Sequence, residues 1–162
     1  RTLSLADAGA LVLDRQPTDL GALAAEVVAG FRPQADAAGI TLRADAPDEL
    51  PDLELDPLRI RQVVTNLIAN ALRHTPAGGK VLVSVRHIGP AWELEVADTG
   101  AGMDAASAAR AFDRFWRAGD AAGAGLGLAI VRDLVQAHGG EVRLESTSGA
   151  GTVVRCLFPS EA

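Results

Sequence analysis

Asn66 and Asn70 are the only asparagines in this 162-residue chain, and they stand four apart in TNLIANALRHTP. Asparagine is a poor helix-interior residue because its side chain competes for backbone hydrogen bonds. The stretch from Pro57 to His74 is nevertheless written as a helix, with Asp56 placed to cap it and proline at its first position. At about 100° per residue, Arg59, Gln62, Asn66, Asn70 and Arg73 form one polar stripe, with His74 at its edge. Ile60, Val63, Val64, Leu67, Ile68, Ala71 and Leu72 cover most of the remaining girth. An amide side chain brings a neutral oxygen that can ligate a hard cation and an NH₂ that donates hydrogen bonds. The same stripe also fits a solvated helix face, and the helix alone does not decide between the two.

Two glycine clusters add to this. DTGAGM, from Asp98 to Met103, follows a strand pattern that ends in a carboxylate. Gly100 and Gly102 would let backbone approach a flat ligand closely, and Asp98 could accept a hydrogen bond from an exocyclic amine, as adenine offers. A tight turn with a surface aspartate is the plainer alternative. GAGLGLAI, from Gly123 to Ile130, places Gly123, Gly125 and Gly127 at alternate positions before a helix, where backbone N–H groups can cradle phosphate. That spacing is not the dinucleotide GxGxxG, and no Walker A loop occurs, because GGKV around Lys80 lacks the required Ser/Thr and first glycine. No GxSxG is present, and His74, His87 and His138 lack metal-ligand spacing. His138 is expected at a helix C-terminus, where it favours the helix dipole.

The elements that must position these residues follow from periodicity. A helix is expected from about Thr18 to Gly39, with Leu20, Leu23, Val27 and Phe31 on its apolar face. ITLRAD alternates as a strand, whereas PDELPDLELD looks like a proline-bearing connector. KVLVSVRHI and AWELEVAD alternate and meet at Gly89-Pro90 as an antiparallel pair; AASAARAFDRFWR begins as a short helix; LGLAIVRDLVQAHGG is a helix closed by paired glycines; EVRLEST and GTVVRCLF are closing strands. Three helices and about five strands in mixed order predict a layered sandwich of helices on a sheet. The chain is 48% hydrophobic and 22% charged, a normal balance for one globular domain. Its net charge of -6 and lack of a basic run give no sign of a nucleic-acid surface. The lone Cys156 sits in an apolar strand and reads as a core thiol. No apolar run reaches the ~20 residues of a membrane span.

The asparagine helix, DTGAG, FDRFWR and GAGLGLAI occur in one order, followed by GAGT from Gly149 to Thr152. From roughly Thr18 to Phe158 the chain thereby resembles the catalytic ATP-binding domain of bacterial two-component sensor histidine kinases, in the GHKL superfamily. The resemblance implies an α+β fold, the Bergerat two-layer α/β sandwich, with a mixed, mostly antiparallel sheet of about five strands packed on about three helices. It implies ATP and Mg²⁺ as cofactors. Asn70 resembles the metal ligand, and Asn66 the preceding N-box asparagine near metal and phosphates. Arg73 resembles the basic residue that contacts phosphate, and His74 stands where a ring lies beside the nucleotide. Asp98 resembles the carboxylate that binds the adenine amino group, with Gly100, Gly102 and Met103 shaping the pocket. Arg117, after Phe115 and Trp116, resembles the arginine that reaches the γ-phosphate. Gly123, Gly125, Leu126 and Gly127 resemble the lid segment over the phosphates, and Thr152 the threonine behind the adenine pocket.

ATP-hydrolysing relatives place a glutamate four residues before the metal asparagine. Here that position is Asn66, which cannot act as a general base, so the resemblance favours a kinase over a hydrolase; a non-catalytic nucleotide-sensing module is the other alternative. The catalytic set implied is Asn66, Arg73 and Arg117. The expected acceptor is a histidine on a dimerisation domain of the same protein, whose motif is absent here; residues 1–16 would be the end of a dimerisation helix and a linker, and residues 17–162 the catalytic domain. A response-regulator receiver domain is the expected further partner, with no nucleic acid. The expected parent is a homodimer anchored in the inner membrane with this domain in the cytoplasm, and the piece itself a monomer. The stretch from Arg117 to Gly123 looks short for the family's ATP lid.

Overall fold

The structure, a computed structural model, describes residues 12–113 and 127–159. Chain order is β1 (Gln16–Thr18), α1 (Leu20–Ala38), β2 (Thr41–Asp45), β3 (Leu53–Leu55), α2 (Pro57–His74), β4 (Lys80–Ile88), β5 (Ala91–Asp98), α3 (Ala105–Ala109), α4 (Gly127–Ala137), β6 (Glu141–Thr147) and β7 (Gly151–Pro159). The main sheet runs β2-β4-β5-β7-β6. Its β2–β4 pair is parallel and the other three pairs are antiparallel. The helices α1, α2 and α4 cover one face of it, giving the expected two-layer sandwich.

Alternation explains the layer. Register aligns Val142, Cys156, Leu94 and Val85 across four strands, and Leu144, Val154, Val96 and Val83 in the next row. These side chains share the helix-facing side, and all but the edge-strand residues Val142 and Leu144 are fully buried. Cys156 belongs to this core, and burial pushes its thiol up to about 12. The opposite face is charged and solvated, with Arg86–Glu93 and Arg155–Glu95 each at 2.8 Å and Arg155 also paired to Glu145. Such exposed pairs contribute little stability.

Two local outcomes differ from the sequence expectations. The proline-bearing connector contains β3, which pairs antiparallel with β1 as a separate two-stranded ribbon. Three-residue strands carry no usable periodicity, so only their nonlocal pairing defines them. His138 is also not a charged residue at the helix dipole. It is fully buried, with Nδ1 2.7 Å from the Leu134 carbonyl and Nε2 3.1 Å from the Asp56 amide. A carbonyl can only accept and an N–H can only donate, so the ring is neutral with its proton on Nδ1. Burial lowers its pKa, opposed by the hydrogen bond to Leu134; the Arg15 charge lowers it further and Asp56 raises it.

Asp56 is a junction. Its Oδ1 accepts from the Leu58 and Arg59 amides and so caps α2, while its Oδ2 accepts from the Asp14 amide at 3.0 Å. Its own N–H goes to His138. One buried residue thus ties the segment before β1, the start of α2 and the end of α4 together.

Asp56→Ala is expected to lower the unfolding free energy by about 1–3 kcal/mol, the range of a lost cap plus stranded buried donors, as measured by urea denaturation. The folded His138 pKa lies below its ordinary 6.5, so the unfolded chain takes up that proton first as pH falls. Stability from this group is full above pH 6.5 and declines beneath it, and the half-buried His74 is lowered in the same direction. The His138 ring resonances should still report the neutral form at pH 6.5; a half-protonated ring there would contradict this geometry.

Candidate functional site

The site lies where α2, the β5 end and the β6–β7 turn meet. The seven apolar residues predicted for α2 are all buried, and the polar stripe stays at least partly open. Arg59, Gln62, Asn66 and Asn70 are half-buried and Arg73 is exposed. Within the stripe Arg73 donates to Asn70 Oδ1 at 3.1 Å. Asn70 and Asn66 precede His74 by one and two turns, about 6 and 12 Å along the axis. The amides therefore recede in a line from the end of the helix.

That end is fixed against Asp98. A methyl group on Gly100 would run into the His74 carbonyl, so glycine lets the loop after β5 press against the last turn of α2. Gly102 has φ +70°, and a Cβ there would meet the Thr147 carbonyl. The sequence reading gave these two glycines a ligand-facing purpose. In the structure they allow backbone to pack on backbone, with α2 on one side and the β6–β7 turn on the other. The pocket is shaped by this packing.

Asp98 and Thr152 face each other in register, and Ser146 faces Thr152. Asp98 Oδ1 accepts from the Gly100 amide at 2.9 Å and from the Thr152 amide at 3.3 Å. Oδ2 has no partner among the described residues and is left to accept from a donor. Burial raises the Asp98 pKa, while the two amides and the nearby His74 oppose that rise. His74 is itself lowered, by burial first and then by Arg73, against Asp98. A half-buried carboxylate beside a ring suits a flat heterocycle that carries an N–H donor.

The structure thus brings together His74, Asp98, Gly100, Gly102, Met103 and Thr152, and sets Asn66, Asn70 and Arg73 along the same helix. Gly127 opens α4 with open space where a Cβ would be. Phe115, Arg117, Gly123, Gly125 and Leu126 lie outside the described residues. Ser146 was not singled out in the sequence. Its signal was a hydroxyl at an inward position of EVRLEST, in phase with Val142 and Leu144.

No group of three or more His, Cys, Asp or Glu among the described residues could hold a metal. The amide oxygens of Asn66 and Asn70 are hard neutral donors, which suit Mg²⁺ only with phosphate and water completing its shell. No described helix is long and apolar enough to cross a membrane.

Comparison with known proteins gives the class. Residues 55–162 match the family model described as histidine kinase-, DNA gyrase B-, and HSP90-like ATPase. The chain belongs to this family, and its fold is that of the histidine kinase catalytic domains within it. The alginate biosynthesis sensor protein KinB of Pseudomonas aeruginosa is 35% identical over 148 residues, covering 91% of this chain and 25% of the relative. Histidine protein kinase DivJ of Caulobacter vibrioides is 40% identical over 133 residues, covering 80% and 22%. Among solved structures, full-length ShkA in complex with AMPPNP superposes with TM-score 0.86 at 34% identity, over 98% of this chain and 34% of that one. The nucleotide-free catalytic domain of histidine kinase ThkA gives 0.83 at 25% identity, over 93% and 100%. The chain thus spans a quarter or less of the two named sequence relatives.

Gly102→Ala is expected to destabilise the fold by more than about 1 kcal/mol, because alanine is strained at positive φ. Its added methyl also meets the Thr147 carbonyl. A melting temperature equal to that of the parent chain would contradict this account.

Proposed function

We propose that this chain binds Mg·ATP and serves as the catalytic domain of a sensor histidine kinase, passing the γ-phosphoryl group to a histidine on a separate dimerisation domain of the same protein. The observation that carries this reading is the half-buried Asp98 carboxylate, held by two backbone amides beside His74 at the head of an amide-lined helix. The AMPPNP bound in the ShkA complex supports the nucleotide assignment. Adenine fits the free Asp98 oxygen through its amino group, whereas guanine would present a carbonyl there.

Asn70 would hold Mg²⁺ together with the phosphates, with Asn66 beside it. The metal would neutralise phosphate charge. Arg73 and Arg117 would add positive charge to the transferring group, in which positioning and electrostatics do most of the work. Arg73 now donates to Asn70 Oδ1; drawn off by phosphate, it would release that oxygen for the metal, so metal and nucleotide bind together. Gly123, Gly125, Leu126 and Gly127 would close over the phosphates. Asn66 stands where a hydrolase needs a base, which favours transfer over hydrolysis. The parent is read as a homodimer anchored in the inner membrane, with this domain in the cytoplasm and a response-regulator receiver domain taking the phosphoryl group onward.

Calorimetric titration with Mg·AMPPNP should show saturable binding at or below millimolar concentration. Asn70→Ala should remove its Mg²⁺ dependence, a loss of about tenfold or more if one charge-assisted contact is lost. With ATP, label should move to a supplied histidine-bearing dimerisation domain. The chain alone should carry no label on His74, His87 or His138, and both nitrogens of buried His138 are already engaged. Steady phosphate release by the chain alone, without transfer to that domain, would favour a hydrolase instead.

A further inference from the structure

We propose that Ser146 is a positioning residue for recognition of the base: its hydroxyl locks the loop after β5 to β7, and so sets the aim of the Asp98 carboxylate. The inference rests on the reading of Asp98 as the carboxylate that meets the adenine amino group.

Ser146 sits on β6, opposite Thr152 on β7, which is in turn opposite Asp98 on β5. The three residues share the last helix-facing row of the sheet with the buried Val81 of β4 and Leu42 of β2. The rows behind it are apolar, built from Leu144, Val154 and Val96, then from Val142, Cys156 and Leu94. Packing alone would place another apolar residue at 146. The serine hydroxyl instead engages three parts of the site. It accepts from the Met103 amide at 2.8 Å, lies 2.7 Å from the Thr152 hydroxyl, and is 3.2 Å from the Gly151 carbonyl.

The consequence reaches Asp98 through covalent neighbours. Oδ1 of Asp98 is held by the amides of Gly100 and Thr152. Gly100 belongs to the loop that Ser146 anchors at Met103, and Thr152 is the residue that Ser146 touches by its hydroxyl. One oxygen thus joins the two segments that carry these amides, the loop through the Met103 amide and β7 through the Thr152 hydroxyl. The hydroxyl pair adds a second effect. Ser146 has one proton, which goes either to the Gly151 carbonyl or to Thr152 Oγ1. In the first case Thr152 donates to Ser146 and offers lone pairs; in the second its own proton is free to donate. Thr152 can thus present a donor or an acceptor to whatever lies beside Asp98.

Without the hydroxyl, the Met103 amide loses its acceptor and Thr152 its partner. The loop keeps its backbone tie from the Gly149 N–H to the Ala101 carbonyl at 2.6 Å, but its Met103 end can shift against β7, and the aim of Oδ2 loosens. A loss of this kind depends on the ligand having the amine. That separates positioning from a general effect on folding.

The test uses the chain as it stands, with ADP and purine riboside 5′-diphosphate, which lacks the exocyclic amine, as calorimetric probes. Ser146→Ala should weaken ADP about tenfold and the amine-free analogue less than about threefold, because the hydrogen bond to the amine is misaimed and weakened rather than abolished. Ser146→Thr, which keeps the hydroxyl, should restore the parental preference for ADP. Equal weakening of both ligands by Ser146→Ala, or no weakening of ADP, would overturn the proposal. If Ser146→Ala does not fold, a folded Ser146→Thr that loses the preference would overturn it equally. Asp98→Asn reports on the underlying reading: the parent must prefer ADP and this variant must not. If Asp98→Asn leaves the preference intact, the assignment of Asp98 fails, independently of Ser146.

Discussion

The structure depends on how α2 is buried. Ile60, Val63, Val64, Leu67, Ile68, Ala71 and Leu72 are all shielded, several of them completely, because the helix packs against α1, α4 and the sheet at once. Burial at roughly 25 cal/mol per Å² of apolar surface makes any rotation of this helix about its axis costly. The polar stripe is what remains, and its direction is set by everything around it. Asn66 and Asn70 weaken the helix by propensity, by well under about 1 kcal/mol each. Packing of the apolar faces offsets that easily.

The second constraint is the change from apolar to polar at one end of the sheet. Three inward rows build the core, the first holding Trp92 and Phe158, and the next row carries Ser146, Thr152 and Asp98 beside Val81. The glycines at 100 and 102 then allow the backbone of the following loop to close on both α2 and the β6–β7 turn. A buried carboxylate is expensive unless it is hydrogen-bonded. Two amides offset that expense on one oxygen and leave the other available. In the proposed function the first oxygen serves the fold and the second meets the base.

Asp56 and His138 serve the opposite end of α2. Asp56 caps the helix with one oxygen and holds the segment before β1 with the other, and its amide is received by a neutral imidazole from α4. The helix that carries the stripe is thus pinned at its start by its cap and at its finish by the Gly100 contact. Asp14 thereby touches the cap of the same helix that lines the site.

The sequence by itself determined the local elements and the chemistry available to them. Periodicity gave the three long helices, the hairpin of β4 and β5 and the two closing strands, and Asp56-Pro57 marked the start of α2 to the residue. The order of the motifs that hold Asn70, Asp98, Gly127 and Thr152 carried the resemblance to the family to which the chain belongs. Its apolar strand was enough to place Cys156 in the core. What only the tertiary structure decided was which groups meet. The ribbon of β1 and β3 joins residues more than thirty positions apart and leaves no periodic trace. Ser146 was an ordinary serine until strand register set it beside Thr152 and Met103. His138 looked like a charged helix end until burial and an amide from Asp56 made it neutral. Local pattern encodes what a segment can form, through forces acting between near neighbours in the chain. Register, burial and the partner of each hydrogen bond depend on residues distant in sequence, and only the packed fold brings those together.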